Sequence, residues 1–139
     1  MVAKHDFKRF PELTNSQMQI YYFDSPHKQI IEPIIARVVK VIDGDTIRVE
    51  WSERDFSFPI RMAEVAAPEL DERGGTEGQS FLEKQILGEE VEIRPTRSRV
   101  EKWGRLLANV NFLGMDMSQQ VIDAGHGVTW ENREQSIWV

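Results

Sequence analysis

The chain has 139 residues, of which 40% are hydrophobic, and a formal net charge of −6. This length suits one domain, no apolar run is long enough to predict a membrane span, and the absence of cysteine excludes disulfides and thiolate metal sites. The negative net charge argues against indiscriminate nucleic-acid binding, which usually needs a basic face. The first residues lack the apolar core of a secretory signal peptide, which favours an intracellular location.

From residue 34 onward, the hydrophobic pattern is typical of short β-strands. The segments IIARVVKVI (34–42) and TIRVEW (46–51) are rich in β-branched residues, and the Asp43-Gly44 pair between them indicates a hairpin. Alternation or β-branched content predicts further strands at residues 57–65, 90–95 and 105–113, and helical periodicity predicts helices at 76–88 and 116–125.

The order of these elements is three strands, a helix, two strands and a second helix. This order predicts a mainly β, α+β fold, in which a five-stranded closed antiparallel barrel of the OB type carries two short helices. Closure also removes the exposed edges of so small a sheet. Residues 34–139 are expected to form this domain, and the turn-rich residues 1–33 are expected to form an N-terminal arm.

Two carboxylates flank the glycine of the first hairpin. Asp45 continues the inward alternation of Ile47 and Val49, so we expect its side chain at the mouth of the barrel. An unpaired carboxylate beside apolar side chains is costly, so Asp45 needs a partner there. The partner could be a cation, which the absence of other ligand types would make a hard one, or the turn could be purely structural.

The third strand predicts a bulge near Ala63. Regular alternation would bury Glu64 and expose Val65, whereas one extra residue restores Val65 to the core and turns Glu64 to the side of Arg61. Pro68 then ends the strand. The alternative is that Glu64 only marks the end of the strand and Arg61 is an ordinary surface residue.

Charge is unevenly distributed in the second half of the chain. Residues 94–105 (RPTRSRVEKWGR) carry five basic side chains against Glu101, whereas residues 64–77 (EVAAPELDERGGTE) are mostly acidic. An anion-binding strip beside a cation-binding strip suits a metal-assisted phosphate site. Two solvated loops of opposite sign are the alternative interpretation.

Three segments together resemble a known family. VIDGDTIRV (41–49), RMAEVAAPE (61–69) and KWGRLLANV (102–110) are similar, in order, to the signature segments of the staphylococcal nuclease (thermonuclease) family. The resemblance covers residues 36–127 and implies a five-stranded OB barrel. It also implies a Ca²⁺-dependent phosphodiesterase that cuts the 5′-O–P bond of DNA or RNA and leaves 3′-phosphates. For such a nuclease we expect single-stranded nucleic acid as the preferred substrate.

The resemblance also assigns roles to individual residues. Asp45 would be a Ca²⁺ ligand, and Ala67 would offer its backbone carbonyl. Arg61 and Arg105 would clamp the phosphate, a role that suits two planar guanidinium groups that stay protonated. Glu69 would be the general base near the attacking water.

The resemblance has one clear departure, at the second metal carboxylate of the family. That carboxylate falls at Ala66, whose side chain cannot coordinate. Glu64 is a candidate substitute ligand; other interpretations are a weak metal held through water and substrate phosphate, or an inactivating substitution. A further alternative is a catalytically impaired OB-fold module that binds nucleic acid or protein.

The remaining expectations concern the substrate and the arm. Trp103 stands where the family usually has tyrosine, and with Lys102 it is a candidate for substrate binding, since aromatic rings stack on bases. Residues 1–33 lie outside the resembling region. They are candidates for self-association or for covering an exposed surface.

Overall fold

The structure, a computed structural model, describes residues 4–132. Its strands and α-helices follow one another along the chain in this order: α1 (Asn15–Tyr21), β1 (Ile34–Asp43), β2 (Thr46–Glu50), β3 (Phe58–Met62), β4 (Val65–Ala66), α2 (Gly75–Ile86), β5 (Glu90–Val100), β6 (Leu106–Phe112), β7 (Met115–Asp116), α3 (Met117–Asp123) and β8 (Val128–Thr129).

Five of the strands close into a barrel. Their order is β3-β2-β1-β5-β6, and an additional pairing of β3 with β6 closes the ring. The barrel interior holds a continuous apolar core that includes Val38, Ile47, Ile60, Ile93 and Leu106. The predicted OB-type α+β fold is therefore confirmed.

The barrel differs from the prediction in the direction of one pairing. Four of its pairings are antiparallel, but β3 and β6 run parallel, with Arg61 opposite Leu107. A closed ring with an odd number of strands cannot alternate direction throughout, so one parallel pair is unavoidable. The barrel is mixed for this reason.

The helices number three within residues 4–132, whereas two were predicted. The additional helix, α1, lies in the N-terminal arm and begins with a capping box, in which Thr14 and Gln17 satisfy each other's backbone N–H groups. None of the helices in this part of the chain is long and apolar enough to cross a membrane.

Buried polar contacts hold the arm against the barrel. Leu13 and Ile30 are fully buried, and the guanidinium of Arg99 donates to the backbone carbonyls of both, at 2.8 Å each. Glu12 forms a bidentate ion pair with Arg54 at 2.6 and 2.8 Å. The described part of the arm therefore packs as an integral layer of the fold.

Candidate active site

The β1–β2 hairpin places Asp45 in a nearly buried position with partners on both carboxylate oxygens. Oδ1 accepts from the hydroxyl of Thr46 at 2.9 Å, and Oδ2 accepts from the backbone N–H of Ala67 at 2.9 Å. Arg61 Nη2 lies 3.3 Å from Oδ2. The register explains this contact, because Thr46 pairs with Arg61 across β2 and β3. Ala67 thus contacts Asp45 through its N–H. The metal-binding role of its carbonyl stays a prediction.

The parallel β3–β6 contact brings the two predicted arginines together. Arg61 pairs with Leu107, and Arg105 immediately precedes β6. Burial lowers the pKa of the Arg61 guanidinium, Asp45 opposes this shift, and the positive charge of Arg105 adds to it. The two guanidiniums are therefore electrostatic neighbours at one end of the barrel.

Glu101 belongs to this site, although no role was predicted for it. Its carboxylate accepts from Arg105 Nε at 3.2 Å and Nη2 at 3.1 Å, and also from the Arg105 backbone N–H. The only signal in the sequence was that Glu101 and Arg105, of opposite charge, stand at the two ends of a short turn. This pairing holds the Arg105 side chain in place while leaving part of it open to solvent.

Trp130 is a second residue to which no role was assigned from the sequence. It follows β8, which pairs antiparallel with β4, and its ring lies 5.5 Å from the Arg61 guanidinium carbon. Arg61 and Trp130 both line a cavity of about 880 Å³, whose wall also includes Glu64, Leu107 and Ile122. The cavity is of nucleotide size and reaches the guanidinium of Arg61.

The predicted bulge near Ala63 is replaced by a sharper break. Ala63 and Glu64 form a turn between β3 and β4, and Glu64 adopts a positive φ of 68°. The turn buries Val65, as expected, and leaves Glu64 exposed on the same cavity as Arg61. Ala66 is buried and pairs with Val128. Two short strands therefore take the place of one bulged strand.

Three other predicted site residues lie on exposed loops. Glu69 is exposed, and within residues 4–132 its carboxylate makes no hydrogen bond or ion pair with Asp45 or Arg61. Trp103 is 68% exposed, and Lys102 lies over its ring at 5.2 Å. The structure therefore brings Asp45, Arg61 and the N–H of Ala67 into contact, but not Glu69.

The predicted basic strip is only partly available to an anion. Arg99 is buried against the arm, Arg94 binds Glu92 at 2.7 Å, and Arg105 is paired with Glu101. Strand β5 extends to Val100 and turns Arg99 inward, which a count of charges along the sequence could not show.

Asp43 adds a second carboxylate beside Asp45. Its Oδ1 accepts the Asp45 backbone N–H at 3.0 Å. Burial, together with a hydrogen bond to the adjacent Asp45 carboxylate and repulsion by its charge, raises the pKa of Asp43 to about 7. The positive charge of Arg61 therefore does not fully compensate the two carboxylates of Asp43 and Asp45.

The donor set fits a divalent cation only in part. The part of the chain that the structure describes contains no group of three or more His, Cys, Asp or Glu side chains able to hold a metal. Asp43 and Asp45 supply two carboxylates, whereas Ca²⁺ usually takes six to eight oxygens. A cation held here would need water and substrate oxygens to complete its coordination.

Comparison with known proteins identifies similar chains in two bacterial species. No protein-family model matches the chain. Two Escherichia coli proteins, one from O157:H7, are named uncharacterized endonucleases and are 31% identical over 99 residues, covering 70% of this chain and 62% of each relative. A Haemophilus influenzae protein of the same name is 26% identical over 100 residues, covering 72% of this chain and 53% of the relative. The chain thus spans less than two thirds of the length of these relatives.

Replacing Asp43 with asparagine is expected to make the free energy of unfolding depend less on pH. The native pKa of about 7 exceeds the ordinary value of 3.8, so native Asp43 keeps its proton where the unfolded chain has lost it. The contribution of protonated Asp43 to the stability of the folded protein is therefore complete below about pH 4 and is lost as the pH rises through 7. The introduced amide cannot ionise, and its oxygen can still accept the Asp45 N–H. Urea unfolding should show Asp43→Asn more stable by about 1–2 kcal/mol at pH 8, after allowance for solvent screening, and equal at pH 4.

The charge-matched control for this experiment is Asp55→Asn, at an exposed carboxylate. Equal slopes of unfolding free energy against pH for wild type and Asp43→Asn would contradict the assignment.

Proposed function

We propose that the chain is a nuclease of the staphylococcal nuclease type, which hydrolyses phosphodiester bonds in DNA or RNA. The observation that carries this proposal is the cluster of Asp45, Arg61 and Arg105 at one end of the barrel, beside a nucleotide-sized cavity. The names of the Escherichia coli and Haemophilus influenzae relatives support the same class of activity.

The two arginines would bind the phosphate and stabilise the charge that develops on it. Each guanidinium has a carboxylate partner in the structure, Asp45 for Arg61 and Glu101 for Arg105. A phosphodiester entering the site would share these donors with the two carboxylates, and the forked geometry allows both contacts at once. Preorganised donors of this kind stabilise a transition state without reorganisation.

Glu69 is the proposed general base. Its carboxylate lies on the loop after Pro68, two residues beyond the Ala67 N–H that contacts Asp45. Removal of a proton from water by Glu69 would generate the nucleophile that attacks phosphorus. The P–O5′ bond would then break, the 5′-oxygen would take a proton from solvent to become a hydroxyl, and the phosphate would stay on the 3′-oxygen of the other fragment. This role requires the exposed Glu69 side chain to reach a water beside the phosphate.

Ca²⁺ is the proposed cofactor, at a weak site. Asp45, with Asp43 beside it, would hold the ion, and the exposed Glu64 is a further candidate ligand. The ion would supply charge neutralisation for the phosphate. The carboxylate that Ala66 lacks, together with the small donor set, is the reason to expect low affinity.

The side chains that line the cavity beside Arg61 support single-stranded nucleic acid as the proposed substrate. Its wall combines the ring of Trp130 with the apolar side chains of Leu107 and Ile122. Such a wall suits an unstacked base, which a paired strand cannot present without flipping. Lys102 and Trp103, exposed near Arg105, are candidates for contacts with the neighbouring nucleotide.

The test is cleavage of an end-labelled single-stranded oligonucleotide with and without Ca²⁺. Wild type is expected to cut and to leave 3′-phosphate ends, and a chelator is expected to stop the reaction. Arg105→Ala and Glu69→Gln should each lower kcat/KM by about 10²-fold. Arg37→Ala removes the same charge from an exposed pair with Glu90 and should leave kcat/KM unchanged.

A nucleic-acid-binding module without cleavage is the second candidate function. Ala66 in place of a carboxylate, with no group of three metal-binding side chains in the described residues, favours it. This function predicts oligonucleotide binding that persists in chelator and falls with salt, with no product under Ca²⁺, Mg²⁺ or Mn²⁺. Cleavage by an Ala66→Asp variant alone would then show that one side chain separates the two functions.

A further inference from the structure

A second cavity lies between the N-terminal arm and the barrel, and it reaches the candidate active site. Its volume is about 690 Å³, and Arg105 forms part of its wall. We call it the arm groove; its wall includes Phe7, Lys8 and Arg9 from the arm and Arg48, Phe56 and Trp103 from the barrel side. Arg105 is shared between the groove and the proposed phosphate site.

The arm is held against the loop that carries Trp103 and Arg105. Gly104 in this loop has a φ of +87°, and a Cβ on it would come within 2.9 Å of the Phe10 ring. The turn before Phe10 is fixed by Asp6, whose Oδ1 accepts the backbone N–H groups of Lys8 and Arg9. These contacts leave both cationic side chains exposed at the groove.

The charge of the groove is opposite to that of the whole chain. The chain carries a net charge of −6, but the groove is lined by four cationic side chains: Lys8, Arg9, Arg48 and Arg105. Its acidic members are Asp55 and Glu12, and Glu12 is neutralised by its buried pair with Arg54. Of the four cations, Arg105 is paired with Glu101, so Lys8, Arg9 and Arg48 against Asp55 leave the groove with an excess of positive charge. A polyanion is therefore the ligand that the groove attracts.

Aromatic rings line the same groove between the cations. Trp103 is largely exposed, and Phe7 and Phe56 are half-buried on either side of His27, with ring centroids 6.2 and 5.0 Å from the imidazole. Cations that follow a backbone and rings that stack on bases are the two features by which proteins hold single strands.

We propose that the arm groove binds the nucleotides of a single-stranded nucleic acid that flank the phosphate held by Arg61 and Arg105. The location of that phosphate rests on the proposed function. A strand passing Arg105 enters the groove directly, where Lys8 and Arg9 contact its phosphates and the rings contact its bases. The arm then extends the substrate-binding surface of the barrel. This extension gives long substrates a higher affinity than mononucleotides.

The experiment measures binding in chelator, so that cleavage plays no part in it. Fluorescence anisotropy gives the Kd of labelled dT12, and tryptophan fluorescence gives the Kd of thymidine 3′,5′-bisphosphate. In the variant Lys8→Ala/Arg9→Ala, loss of two phosphate contacts should raise the Kd of dT12 about tenfold at 50 mM salt and reduce its salt slope by about 1.4. The Kd of the bisphosphate should stay within twofold, because a mononucleotide held at Arg61 and Arg105 does not reach Lys8 or Arg9.

The matched control is Lys40→Ala/Lys84→Ala, which removes the same charge from exposed residues outside the groove. Weakening of dT12 binding by the arm variant alone supports the proposal. Equal weakening by both variants, no binding of dT12 by wild type, or equally tight binding of an acidic peptide of the same charge would overturn it. Failure of the proposed function is distinguishable, since it would appear in the separate cleavage assay with Ca²⁺, as an oligonucleotide that binds but is not cut.

Discussion

Arg61→Met is expected to lower kcat/KM for single-stranded DNA by about 10³-fold and the free energy of unfolding by about 3 kcal/mol. Arg61 is the cation that faces Asp45, and their side chains are only 12% and 9% exposed. Methionine fills similar space without charge, so the variant leaves the Asp45 carboxylate buried beside Asp43 with no counter-ion. It also removes the fork proposed to hold the phosphate. Urea unfolding and steady-state kinetics measure the two effects separately.

Two companion variants separate catalysis from folding. Arg61→Lys keeps a positive charge near Asp45 and is expected to be as stable as wild type. Because lysine cannot make a bidentate phosphate contact, its kcat/KM should still be about 10²-fold below that of wild type. Adding Asp45→Asn to Arg61→Met removes the unpaired charge and should restore most of the stability without restoring cleavage. A folded Arg61→Met variant with wild-type kcat/KM would refute the phosphate role of Arg61.

The strands of the barrel could be predicted because each has one buried face. In β2, Ile47 and Val49 are buried, Arg48 is half-buried and Glu50 is exposed, and this period of two is visible in the sequence itself. The β3–β6 contact has no such local signature. It joins residues more than forty positions apart, for example Arg61 and Leu107, and follows from ring closure rather than from composition.

The proximity of Asp45 and Arg61 was predictable because both lie in short motifs, although their roles stay predictions. Asp45 and Arg61 were both named from the sequence, and the structure places them 3.3 Å apart. Trp130 was not named, because its position depends on the pairing of two-residue strands, β4 with β8, which no periodicity can indicate. The role of Glu69 stays a prediction, since its loop lies open in the structure.

The number of basic residues in a segment did not predict which of them anchor the N-terminal arm. Arg99 was counted with an anion-binding strip, but it is buried and donates to the backbone carbonyls of Leu13 and Ile30. Because these carbonyls come from a segment about seventy residues or more away, the local sequence could not distinguish an arginine that binds phosphate from one that anchors the arm.

The same anchoring predicts a large effect at the buried ion pair between Glu12 and Arg54. Their side chains are 2% and 0% exposed, and Arg54 also lies 4.4 Å from the centre of the Phe58 ring. Arg54→Met leaves the Glu12 carboxylate buried with no cation to pair with it. We expect the free energy of unfolding to fall by about 3–5 kcal/mol, measured by urea unfolding.

The variant with both partners replaced, Glu12→Leu/Arg54→Met, should be much more stable than Arg54→Met, because no uncompensated charge remains in it. The exposed pair Lys28–Glu53 is the control, and Glu53→Gln should change stability by less than about 0.5 kcal/mol.

If Arg54→Met itself does not fold, the double variant still tests the role of the ion pair, since it is expected to fold. A double variant as unstable as Arg54→Met would mean that the packing of Arg54 on the aromatic rings, rather than its charge pairing, holds the arm to the barrel. Resistance of the arm to limited proteolysis should follow the same order as the unfolding free energies, because the arm must detach before it can be cleaved.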